Sequence, residues 1–167
     1  MTENIAHKGT TMTASVRDFN PAKGMAFQGD VAIVPVPAKL ATGLNRSAEI
    51  SPRDGRLILA EGEISGHHHA ITLPPRSVEV DKLMADALAG NIAVPTARLY
   101  RDTAMADAMR KSGIITRTDL CIAFLEIEGG PFTVTHEEHD GIRLPAGLYY
   151  IGGQVESAGA EQRRVAD

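Results

Sequence analysis

The chain has 167 residues, 43% of them hydrophobic and 23% charged, a composition that suits one globular domain with its own core and excludes wholesale disorder. A net charge of −4 and a pI near 5.9 leave no basic footprint for a nucleic-acid duplex beyond a small pair at Arg163 and Arg164, and 4% aromatics argue against base-stacking platforms. The single Cys121 excludes an intrachain disulfide and multi-thiolate zinc sites, and no apolar run approaches the roughly 18 residues of a membrane span. The first residues lack the apolar core of a signal peptide, so a cytoplasmic protein with neither nucleic-acid nor membrane partners is expected.

Residues 1–27 are polar and unperiodic, and read as an N-terminal arm in which His7 is a solvated bystander. The single β-rich domain is expected over 28–167. Gly29-Asp30 is a turn signal, and the β-branched run from Val31 to Val36 predicts a strand that Pro35 and Pro37 push to a sheet edge or end. A polar connection over 38–54 closes in Asp54-Gly55, a hairpin-type dipeptide, before the apolar run Arg56 to Ala60. Residues 67–73 read as extended, Pro74-Pro75 stops them, and Ser77 to Val80 alternates like a short strand.

The segment 81–113 predicts a helical insertion. Asp81 could cap a helix ending before Gly90-Asn91. Tyr100, Ala104, Met105, Ala108 and Met109 recur at helical spacing, with Asp102 or Thr103 as cap and Gly113 as stop. These methionines imply core packing rather than a cofactor. Strands are expected over 119–128 and 132–136, with Cys121 a buried structural thiol, and again from Leu148 to Ile151 after the turn Leu144-Pro145-Ala146-Gly147. The tail 156–167 is polar. Short strands with frequent Gly and Pro turns predict a mainly β protein, a small barrel or sandwich with one or two short helical insertions.

Five of the six histidines fall in Gly66-His67-His68-His69 and Thr135-His136-Glu137-Glu138-His139. On a strand His67 and His69 share a face about 6–7 Å apart while His68 points oppositely. His136 and His139 are three apart, which puts them on opposite faces unless a bulge or turn intervenes, and Asp140-Gly141 offers a turn. If the tracts meet, the candidate ligands are His67, His69, His136 and His139, with Glu138 and Glu63 as carboxylates and His68 outside the ligand shell. Imidazoles with carboxylates suit Zn²⁺, Fe²⁺, Mn²⁺ or Ni²⁺ alike, and Glu137 or Glu138 could act as a base beside metal-bound water. The competing reading needs no metal: histidines solvated at a loop or hydrogen-bonded at the mouth of a β-fold. There is no P-loop, no dinucleotide fingerprint, no His-Glu-x-x-His, and no nucleophile elbow around Ser65.

The blocks Gly29-Asp30-Val31 through Val36, Leu59 through Ile71, Thr135 through His139, Leu144 through Tyr149, and Gln154-Val155-Glu156 with Arg164 through Asp167 resemble a group of small, uncharacterised bacterial and phage-associated proteins. The resemblance spans about 29–167; it implies a natural end at Asp167 and additions at 1–28 and in 81–118, and no activity. A looser similarity to cupins rests on His67-x-His69 and Pro145-x-Gly147, yet the later histidines precede the Pro-x-Gly turn, Tyr149 stands where a cupin histidine would, and the cupin glutamate is missing. Two function classes follow. One is a metal-binding protein or metal-dependent enzyme whose small-molecule ligand the sequence does not name. The other is an assembly or interaction module, a homo-oligomer with an ordering arm and structural histidines.

Overall fold

The computed structural model describes residues 15–62, 66–74, 78–90, 94–158 and 161–164. It begins with β1 (Val16–Asp18) and a 3-10 turn over Pro21–Lys23, which Asn20 caps by accepting from the Ala22 N–H. β2 (Ala26–Gln28) and β3 (Val31–Pro35) then form a hairpin through the two residues Gly29 and Asp30. Gly29 takes φ 52°, the left-handed setting that lets a two-residue loop follow the twist of its strands. Asp54 and Gly55 both have positive φ, and the reciprocal Arg53–Arg56 backbone bonds close the tight turn that opens β5 (Arg56–Glu61).

One sheet has six strands. β4 (Glu49–Ile50), β7 (Thr96–Tyr100), β8 (Cys121–Glu128) and β11 (Gly147–Gly153) join the first hairpin in the order β2-β3-β11-β8-β7-β4, with every pairing antiparallel. The second layer is assembled from two pieces. β1 lies parallel to β10 (Gly141–Leu144), which pairs with β9 (Phe132–Val134), while β5 pairs with β6 (His68–Thr72). Among the described residues a single bridge stitches them together: Ala70 and Thr135 exchange both backbone bonds, at 3.0 and 2.8 Å. The sheets do not close on themselves, so the architecture is a sandwich rather than a barrel.

Period-two patterning builds the two cores. Ile33, Leu125, Ile127, Tyr149 and Ile151 face inward against Leu57, Leu59, Ile71, Val134, Ile142 and Leu144 of the second layer. The alternate residues Val34, Phe124, Leu148 and Tyr150 face outward, where Met105, Ala106 and Met109 of α3 (Thr103–Lys111) and Leu44, beyond α1 (Ala38–Ala41), cover them. Both faces of β3 and β11 are therefore buried, which explains why their sequences run apolar without alternating. Met105 and Met109 are core packing, as expected. Asp102 caps α3 by accepting from the Met105 N–H, and its other oxygen accepts from the Asn45 N–H, each at 2.8 Å. Pro35 ends β3 beyond the reach of three-residue β2, where its missing N–H costs no ladder bond.

Several expectations change. Part of the presumed arm is woven into the fold, because residues 16–18 and 26–27 lie in β1 and β2. The segment 38–54 carries α1 and β4. Val78–Leu88 forms a helix, α2, so 78–80 are not a strand; local helix formers outweigh a brief alternation. The stretch 81–113 is not wholly a helical insertion, since β7 lies within it and pairs with β8 and β4 in the main sheet. β12 (Val155–Ala158) and β13 (Glu161–Arg164) form a hairpin in the polar tail. No helix among the described residues is long and apolar enough to cross a membrane.

The Tyr150 side chain lies against the Gly152 backbone and leaves no room for a side chain at 152. A Cβ there would collide with the Tyr150 side chain, and that ring is wedged edge-on against Phe124 at 5.8 Å. Gly152→Ala is expected to cost about 1–3 kcal/mol through forced repacking. Urea unfolding would measure it, and an unchanged midpoint would contradict the packing account.

Candidate metal centre

β6 distributes its histidines by strand period. His69 turns inward and is 0% exposed, whereas His68 lies opposite Glu61 in the β5 register, with Nε2 3.2 Å from Oε1. Arg53 pairs with the same carboxylate and, chiefly through that bond, holds Glu61 below its ordinary value. His67 stands just ahead of β6, partly buried, with Nδ1 3.6 Å from Glu138 Oε2.

The second tract turns where the ladder stops. β9 ends at Val134, Thr135 makes its single bridge, and the chain bends over 137–139. The Glu138 N–H donates to His136 Nδ1 at 3.1 Å across that bend. His136 and His139 consequently stack on the same side, with ring centroids 4.5 Å apart and planes at 24°. The opposite-face problem posed by their spacing disappears because the segment is not a strand. His136 also lies 4.3 Å from the His69 ring and 5.7 Å from the His67 ring, and His69 is 6.3 Å from His139. The four histidines singled out in the sequence thus form one cluster. Glu138 borders it with a largely exposed carboxylate. Glu63 lies outside the described residues. As the side chains stand, no three His, Cys, Asp or Glu groups among the described residues surround a single point in metal-holding geometry.

Two residues of the site went unrecognised in the sequence. Gln28 is buried at the end of β2, and its Oε1 lies 2.9 Å from His69 Nδ1. Its amide nitrogen donates to the main-chain oxygens of Val134, at 3.2 Å, and Asp140, at 2.8 Å. Asp30, in the β2–β3 turn, places Oδ1 3.0 Å from His69 Nε2. The only sequence signal for them was a polar pair flanking a glycine turn, which turn chemistry alone explains. The turn is tied down by Gln154, whose backbone N–H donates to Asp30 O at 2.8 Å and whose amide donates to Gly29 O at 2.7 Å.

Glu137 links the tracts from outside, its Oε2 accepting the His68 backbone N–H at 2.9 Å. That bond, aided by the nearby His136 and His67, lowers its pKa below the ordinary carboxylate range. Away from the cluster, a cavity of about 550 Å³ beside α3 is lined by Arg101, Asp102, Asp107, Asp119 and Cys121 among others. Burial, with Asp102 adding to it, pushes the half-buried Cys121 thiol up to about 11, consistent with a structural rather than nucleophilic cysteine.

Compared with known families, residues 27–154 match the one described as a domain of unknown function, DUF8820. The chain belongs to that family. The DUF8820 span takes in Gln28, Asp30 and both histidine tracts, so the whole cluster lies inside the domain. No curated protein and no solved structure matches the chain.

Because its folded-state pKa is depressed, Glu137 contributes stability that is present above its ordinary value near 4.3 and is lost as pH falls through the lowered one. Glu137→Gln, in metal-free protein, should lower the melting temperature at neutral pH, with the gap closing below about pH 4. A gap that widens in acid would refute this assignment. Cys121 should react with iodoacetamide at pH 8 roughly two orders of magnitude more slowly than an exposed cysteine. A rate matching that of a free thiol would contradict the burial described here.

Proposed function

We propose that this domain binds one divalent transition-metal ion at the histidine cluster, with His67, His69, His136 and His139 supplying nitrogens and Glu138 available as a carboxylate. One observation carries the reading: four imidazoles from tracts 66–69 and 136–139 lie ring against ring at 4.3 to 6.3 Å. A metal–nitrogen bond of about 2.0–2.1 Å puts a ligating ring's centre roughly 3.2 Å from the ion, so two such rings lie within about 6.4 Å of each other. The pairs His67–His136, His69–His136, His69–His139 and His136–His139 meet that bound. Because the side chains as they stand do not surround one point, ligation by all four would require the His136 and His139 rings to turn. Neutral imidazoles with a carboxylate accept Zn²⁺, Fe²⁺, Mn²⁺ or Ni²⁺, and the donor types do not choose among them.

The second reading, structural histidines in an interaction or assembly module, is favoured by the way protein groups already engage both ring nitrogens of His69. Elemental analysis separates the two. Untagged protein purified without metal-affinity resin should carry close to one ion per chain. His67→Ala/His139→Ala, which alters only partly buried rings, should remain folded and carry none. Saturating metal at about 100 times Kd should also stabilise the wild type by about 2.7 kcal/mol. Metal-free wild type that gains no stability from any of the four ions would retire the metal reading. A large loss of melting temperature in His69→Ala would then favour the structural one.

A further inference from the structure

We infer that Asp30 is a further ligand of the proposed ion, and that Gln28 is a positioning residue selecting which nitrogen of His69 faces it; the inference rests on the metal-binding reading above. Both hydrogens of the Gln28 amide nitrogen are directed at main-chain oxygens, Val134 O and Asp140 O, which can only accept. The amide is thereby oriented, and its oxygen is the atom that meets His69 Nδ1 at 2.9 Å. An oxygen with only lone pairs needs a donor, so His69 carries its proton on Nδ1. In the neutral ring Nε2 then presents a lone pair, and it faces a second acceptor, Asp30 Oδ1, at 3.0 Å.

Two lone pairs at that distance require a positive species between or beside them. A proton is one solution and a divalent cation is the other. Neighbouring donors on one ion, each about 2.0–2.1 Å from it at angles of 90–110°, are themselves about 2.9–3.4 Å apart. His69 Nε2 and Asp30 Oδ1 have that separation. The arrangement also matches the habit of metal-bound histidines, which donate their second N–H to a protein oxygen that sets tautomer and ring orientation. Gln28 fills that role. The turn carrying Asp30 is held in place, since Gln154 donates to the main-chain oxygens of Asp30 and Gly29 from its backbone and its side chain. Asp30 is partly exposed while the His69 ring is fully buried, so an ion reaches the pair from the Asp30 side.

The test uses Co²⁺ and Zn²⁺ on the full chain. Wild type titrated with Co²⁺ should develop visible ligand-field bands. Asp30→Asn, nearly identical in size, should bind at least 100-fold more weakly and with shifted bands, and Gln28→Leu should bind about 10- to 100-fold more weakly. Since either variant could fail to fold, circular dichroism accompanies each. The decisive measurement is then made on the wild type: imidazole ¹⁵N spectra of the Zn²⁺ form should show His69 protonated at Nδ1 and metal-bound at Nε2. Wild-type affinity and spectrum in folded Asp30→Asn would overturn the assignment of Asp30 while leaving the histidine site intact. A zinc-loaded wild type with His69 bound through Nδ1, or protonated on both nitrogens, would overturn the role of Gln28. Wild type that binds neither ion overturns this inference, and the reading beneath it falls with it when Fe²⁺, Mn²⁺ and Ni²⁺ give no stabilisation either.

Discussion

His69 sits fully buried between the layers, and each of its ring nitrogens is held by a residue of the β2–β3 hairpin. Gln28 reaches from that hairpin into the second layer, where it touches β6 through His69, the end of β9 through Val134 O, and the loop before β10 through Asp140 O. One polar contact set therefore joins both sheets beside an interface built of hydrophobic side chains. Removing a member would strand buried partners at a cost of about 1–3 kcal/mol each, which makes the relative placement of the layers conditional on it. The site and the fold are in this sense the same object: the groups that register the sheets also orient the imidazole at the centre of the cluster.

The cluster's geometry follows from how sparingly the second layer is stitched. β6 and β9 meet through the single Ala70–Thr135 bridge, and immediately afterwards the chain is released from the ladder. A longer pairing would have kept strand period through His139 and sent it to the face opposite His136. Instead the bend over 137–139 stacks the two rings, and Glu137 secures it from outside by accepting the His68 N–H. An extended tract contributes His67 and His69, a bent one contributes His136 and His139, and they meet because the ladder between them is so short.

Much of this was legible in the chain itself. Two-residue turns at Gly29-Asp30 and Asp54-Gly55, the cap at Asp102, and the helical spacing of Met105 and Met109 all act over a few residues, and local chemistry suffices to read them. Other segments misled for reasons equally physical. Val78 to Val80 alternates as a strand does but is taken into α2. Thr96 to Tyr100, placed between two helical patterns, is a strand because β8 and β4 offer it partners on both sides. Gln28 and Asp30 looked like ordinary residues around a turn, since nothing local distinguishes a buried glutamine from a solvated one.

What the sequence by itself determined was an inventory and a set of short-range geometries: which residues could ligate, where the tight turns and the α3 cap fall, and that the protein is mainly β. Tertiary structure alone decided that the two tracts meet, that His136 and His139 point the same way, and that Gln28 and Asp30 complete the cluster. The division follows contact range. Turns, caps and strand period arise from interactions within a few residues. The Gln28–His69 and Asp30–His69 contacts instead span 41 and 39 residues, and they exist only once two sheets have packed face to face.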